Sequence, residues 1–159
     1  MSVNEFMSIQ QLQARYCRAL DKKDMQAWLD CFTKNGRYEL LPADNVEQGL
    51  PMALMLDDTF ERLQDRVTYI TKVWQGTFED YQTRHFVQEI DAQKESDSPL
   101  YRVASNVGVF FTGDEGDTKI LVSGVYEDLI RIEDEKAAFV QKRVVLDTFV
   151  PPRYIVYPI

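Results

Sequence analysis

The chain has 159 residues, 45% of them apolar and 12% aromatic, and carries a formal charge of −8. That is one domain with enough apolar mass to build a core, which excludes a disordered chain. The acidic balance argues against nucleic acid, which needs clustered Lys and Arg, and no apolar run approaches the ~20 residues of a membrane-spanning helix.

The opening Met1-Ser2-Val3-Asn4-Glu5 has neither the basic region nor the apolar stretch of a signal peptide, so a cytoplasmic protein is expected. Residues 8–21 read as an amphipathic helix, with Ile9, Leu12, Tyr16, Ala19 and Leu20 at helical spacing and Ser8 with Gln11 as a capping box. After a break, Asp24 is placed to cap a second short helix carrying Met25, Trp28, Leu29 and Phe32. Asn35-Gly36 ends that helix, and 37–41 reads as a short strand stopped by Pro42. Residues 43–56 read as a loop. Asp58-Thr59-Phe60-Glu61 then opens a helix running to about Trp74 along a Phe60, Leu63, Val67, Ile70 stripe.

From residue 84 the period changes from helical to two. Segments 84–94, 100–112, 119–133 and 138–150 are rich in Val, Ile, Phe and Tyr, and short polar gaps separate them. Those gaps are hairpin connections, so the four segments should form an antiparallel meander. Helices first and a long sheet afterwards predict an α+β domain. Strands this long curl, and a sheet curled around its helices is a cone with an open end. Gly108 and Gly124 are candidate bend or bulge points. Apolar residues recur on both faces of 100–112, more than one helical layer covers, so the uncovered face should meet another subunit.

Chemistry-bearing residues are few. His85 is the only histidine, and Cys17 and Cys31, in neighbouring predicted helices, are the only cysteines; reduced thiols are expected. One His and two Cys cannot supply a zinc site, an iron–sulfur cluster or a facial-triad iron site, so metal chemistry linked to this chain must reside on another chain. With a neighbouring acid, His85 could act as a general base; otherwise it is a hydrogen-bonding pocket or interface residue. Tyr16 and Tyr38 could donate to a pocket ligand but sit on apolar faces suited to core. Asp21 and Asp24 flank a helix break, where capping suffices to explain them. Arg66 interrupts an apolar helix and is placed to pair with an acid on the sheet. Neither a nucleophile elbow nor a glycine-rich phosphate loop is present. The ending Pro151-Pro152-Arg153-Tyr154-Ile155-Val156-Tyr157-Pro158-Ile159 is apolar and proline-broken. It reads as a docking tail on the single domain 1–159, with Tyr154, Ile155, Val156, Tyr157 and Ile159 as subunit-interface residues.

The run Tyr16-x-x-Ala19-Leu20-Asp21-x-x-Asp24-x-x-x-Trp28-x-x-x-Phe32, then Gly36 and Arg84-His85, resembles the cone-fold superfamily of nuclear transport factor two, ketosteroid isomerase and scytalone dehydratase. Glu47-Gln48-Gly49-Leu50-Pro51, Asp65-Arg66-Val67, Tyr81-Gln82-Thr83-Arg84-His85 and Val156-Tyr157-Pro158-Ile159 are similar to the small (β) subunits of aromatic-ring-hydroxylating dioxygenases, especially those serving aromatic carboxylates such as salicylate, anthranilate or terephthalate. The resemblance implies a structural, non-catalytic small subunit without cofactor or metal. It implies a large (α) subunit partner that holds a Rieske [2Fe-2S] cluster and a mononuclear iron. It also implies a trimer of this chain within a hexamer of three large and three small subunits. The superfamily's enzymes use Asp–His dyads in the cone. Here the alternative is a free-standing lyase or isomerase with His85 as base, Asp24 as its acid and Tyr16 or Tyr38 polarising a carbonyl.

Overall fold

The computed structural model describes residues 1–76 and 80–159. Helix α1 spans Val3–Asp21 and starts earlier than the sequence pattern suggests. Its cap is Ser2, whose hydroxyl accepts the Glu5 N–H while the Glu5 carboxylate accepts the Ser2 N–H. Ser8 is instead a buried mid-helix residue, and its hydroxyl donates to the Glu135 carbonyl at 2.9 Å. The helix ends with Lys23 in the left-handed region (φ 56°), where the Asp24 N–H reaches back to the Ala19 carbonyl. This is a Schellman stop without the usual glycine, and so it is hard to read from sequence.

Asp24 caps α2 (Met25–Leu29) as expected, accepting the Ala27 N–H at 3.0 Å. Strand β1 (Phe32–Pro42) begins well before residue 37, because Phe32 pairs with the last strand and Asn35-Gly36 lies in an irregular stretch inside β1. The expected loop at 43–56 contains a short helix α3 (Ala43–Glu47) and the start of strand β2 (Met55–Asp57), which pairs with β1. Helix α4 (Phe60–Thr68) is capped by Thr59 and continues as a π-helical segment, Tyr69–Trp74.

The meander then follows as β3 (Gln82–Lys94), β4 (Leu100–Thr112), β5 (Thr118–Glu133) and β6 (Lys136–Leu146). The β5–β6 hairpin turns on Asp134 and Glu135, both at positive φ. The four strands pair antiparallel in chain order. Strand β1 then adds alongside β6 in parallel, giving the order β2-β1-β6-β5-β4-β3. A parallel partner from the far end of the chain leaves no local sequence signal. Strand β6 also stops at Leu146, short of residue 150.

The sheet curls around α1 and α2. Its inner face alternates with the pleat, burying Tyr101, Val103, Val107, Val109 and Phe111 on β4. The β4–β5 register shifts between Val109 and Phe110, where Leu121 is the extra residue on β5; the bulge is therefore not at Gly108, which keeps regular pairs with Phe86 and Ser123. Gly124 has a different role. A Cβ there would lie 2.2 Å from the Val145 carbonyl, so only glycine permits this close approach of β5 and β6.

Candidate functional site

The cone interior is an aromatic cluster. Tyr16 from α1 meets Phe139, Tyr126 and Phe32 edge-on, with ring centroids 5.3, 6.1 and 6.5 Å away. Trp28 from α2 packs against Phe32 and Tyr38. Helical spacing puts Tyr16 on the buried stripe of α1, and the strand pleat turns Tyr38 inward. Burial pushes both phenols above their ordinary range.

Neither hydroxyl is open to a substrate. The Tyr16 hydroxyl donates to the Ile159 carbonyl at 2.7 Å, and the Tyr38 oxygen accepts the Ile159 N–H at 2.9 Å. The structure therefore fills the cone with the last residue of the sequence, which is 2% exposed. The rest of the tail lies nearby. Tyr157 meets Tyr81 edge-on at 6.2 Å, and Ile155 and Tyr157 pack on the core. Tyr154 is exposed and Val156 is half-buried.

His85 is brought together with Asp21, not Asp24. Its Nδ1 lies 2.6 Å from the Asp21 carboxylate, which also accepts the His85 N–H and the Thr83 hydroxyl. Asp24 is spent on capping α2. Burial raises the Asp21 carboxyl, but the His85 and Thr83 contacts more than offset this and hold it below its ordinary value. An Asp–His pair is the geometry of a general base. However, the His85 side chain is only 2% exposed, and its Nε2 is enclosed with no hydrogen-bond partner among the described residues. A base must come within hydrogen-bond reach of the proton that it removes, and this nitrogen faces protein.

The sequence reading missed a buried polar cluster. The Lys142 ammonium donates to Asp128 at 2.9 Å and to Gln13 at 3.2 Å, and sits 3.2 Å from the Tyr126 ring centre. Burial lowers Lys142 and raises Asp128. A signal existed, since Asp128 occupies the inward phase of β5 together with Tyr126 and Ile130. Arg66 makes the expected ion pair with an acid of the sheet, holding Asp57 on β2 through two nitrogens.

The donor set does not fit iron. Cys17 and Cys31 are free thiols, each pushed by burial to about 11, and the single histidine is turned to Asp21. A Rieske cluster needs two Cys and two His, and a facial-triad iron needs two His. Among the described residues no group of three His, Cys, Asp or Glu side chains is arranged to hold a metal, and no helix is long and apolar enough to cross a membrane.

Outside the cone the sheet surface divides into two regions. One half carries a polar ladder, with Arg143 on Glu127 at 2.6 Å, Arg37 on Gln141 at 2.6 Å and Gln141 on Glu39 at 2.7 Å. The other half exposes Phe86, Phe110 and Ile120 on adjacent strands β3, β4 and β5, with Phe86 and Phe110 in edge contact at 5.4 Å.

The curled sheet around N-terminal helices defines an α+β cone domain of the nuclear transport factor two type. Residues 15–152 match the family model described as ring hydroxylating beta subunit. The chain belongs to that family, the small subunits of aromatic-ring-hydroxylating dioxygenases, and is an oxidoreductase in that sense. It is 27% identical to the anthranilate 1,2-dioxygenase small subunit of Burkholderia cepacia, over 90% of this chain and 87% of that one. It is 26% identical to a β subunit of the terminal oxygenase component of terephthalate 1,2-dioxygenase from Comamonas, over 99% of both. The solved β subunit of benzoate 1,2-dioxygenase from Burkholderia mallei has the same fold, with TM-score 0.74, 22% identity and coverage of 92% of this chain and 93% of that one.

Proposed function

We propose that this chain is the structural, non-catalytic small subunit of a cytoplasmic dioxygenase that hydroxylates an aromatic carboxylate. The observation that carries the non-catalytic reading is the pair of hydrogen bonds at the Ile159 backbone, its carbonyl accepting from Tyr16 and its N–H donating to Tyr38, which occupy the hydroxyls a cone-fold lyase would aim at its substrate. The carboxylate substrate class is supported by the relatives named for anthranilate and terephthalate. The partner is a large subunit that carries the Rieske [2Fe-2S] cluster and the mononuclear iron, since this chain lacks the ligands for either.

Three copies of this chain are proposed to meet in a hexamer with three large subunits, through the exposed Phe86, Phe110 and Ile120 face. Tyr154 of the docking tail, residues 151–159, is proposed to meet the neighbouring subunits, together with Phe149 and Val150 just before the tail, because these side chains are exposed. Ile155, Val156, Tyr157 and Ile159 are proposed to hold that contact in place from their packed positions. The test is co-expression with the large subunit, then turnover by the purified complex. Aromatic carboxylates such as 2-aminobenzoate and terephthalate should be hydroxylated only by the complex. Turnover of any of them by the isolated small subunit, or a complex active on unsubstituted hydrocarbons alone, would overturn the reading.

A further inference from the structure

Residues 147–159 form neither helix nor strand, yet they end at a residue deep in the core. Two side chains from distant elements converge on that residue's backbone. The Tyr16 hydroxyl donates to the Ile159 carbonyl and the Tyr38 oxygen accepts its N–H. Both tyrosines are fully buried. A donor and an acceptor facing the C=O and N–H of one residue form a clamp that reads main chain, while the aliphatic side chain fills the apolar space beside it. Peptide-recognition sites divide affinity and specificity between backbone bonds and side-chain pockets in the same way.

The connection to this anchored end is tied on both sides of a short exposed stretch: the Thr148 hydroxyl accepts the Ser123 N–H at 3.4 Å, and the Arg153 guanidinium lies 4.0 Å from the Tyr81 ring centre. Phe149 and Val150 are 62% and 84% exposed. A segment with a well-anchored tip and an exposed hinge behind it is an arrangement in which identical elements exchange between copies.

We propose that the cone interior is a peptide-binding site, with residues 154–159 as its built-in ligand, and that the same segment of a second copy of this chain can take its place. Tyr16 and Tyr38 are the recognition residues, and the ligand is a short apolar segment presenting a main-chain N–H and C=O beside a branched aliphatic side chain.

The test uses the chain lacking residues 154–159 and a fluorescent synthetic peptide of residues 151–159, followed by anisotropy. Saturable binding is expected, with recovery of the thermal midpoint lost on truncation and no binding of a scrambled peptide. Tyr38→Phe in the truncated chain should weaken binding on the order of 3–10-fold, as loss of one buried hydrogen bond does. A folded truncated chain that does not bind the peptide, or binds the scrambled one equally, overturns the proposal. If truncation prevents folding, a protease site inserted between Thr148 and Phe149 of the full chain and cut after folding replaces it. The cut tail should then stay bound and be displaced by excess fluorescent peptide. A tail that resists displacement, or a chain that unfolds once cut, overturns the proposal equally.

Discussion

His85 and Asp21 form a partly buried pair across the α1–β3 interface, with the histidine Nδ1 2.6 Å from the carboxylate. The aspartate closes the last turn of α1 and the histidine opens the meander, so the contact ties the helical half of the chain to the sheet. The same carboxylate accepts the His85 backbone N–H and the Thr83 hydroxyl, which makes Asp21 a fastening point for the start of β3.

Replacing His85 should therefore affect stability and assembly and leave the chemistry alone. His85→Ala leaves the half-buried Asp21 carboxylate short of one partner, a loss of about 1–2 kcal/mol. Turnover per assembled complex should stay within about 3-fold of the parent, whereas removal of a general base typically costs about 10²-fold or more. Measuring kcat on complex isolated by size, with its subunit ratio checked, separates the two outcomes.

Asp21 should also contribute an acid limb to stability. Its folded carboxyl titrates below the unfolded value of about 3.9, so the stabilisation is fully present above that pH and is lost as pH falls through the lower folded value. The difference in thermal midpoint between the parent and Asp21→Asn should be constant from about pH 5 upward and shrink below about pH 4. A difference that grows on acidification would contradict the pairing.

The Lys142–Asp128 pair lies wholly inside the cone, and its members are not independent. Lys142→Met alone should cost about 3–5 kcal/mol, because it strands the Asp128 carboxylate in the aromatic cluster. Adding Asp128→Leu should recover most of that loss, since replacing both members of a buried pair with packed apolar groups is often neutral. Chemical denaturation of the two single variants and the double variant completes the cycle. Additive losses would show that the pair is not coupled.

The outer patch should behave as an interface. Phe110→Asp places a charge between Phe86 and Ile120 on a surface that the fold does not need to bury. The variant should fold with a thermal midpoint near that of the parent but lose self-association and bind its large subunit more weakly, at least 10-fold in dissociation constant, because a charge at an apolar contact costs more than about 1.4 kcal/mol. Light scattering and native mass spectrometry read both effects. Unchanged oligomers would move the interface elsewhere.

Period and punctuation in the chain suffice to derive the α+β class, the four-strand meander, the Asp24 cap and the lack of an iron ligand set, because each depends on neighbours within a few positions or on a plain count of residue types. The Arg66 ion pair was also within reach, since a cation interrupting an apolar stripe needs an acid. What remained hidden depends on contacts between distant residues. The parallel addition of β1 to β6 pairs Tyr38 with Lys142, and no local pattern specifies such a partner. The choice of Asp21 over Asp24 for His85 depends on where α1 stops, and that is set by a left-handed lysine that replaces the expected glycine. The tail shows the same limit most clearly. Its apolar, proline-broken composition says only that it must bury something, whereas the Tyr16 and Tyr38 hydroxyls, brought together from α1 and β1 by the curl of the sheet, decide that Ile159 is buried inside its own cone.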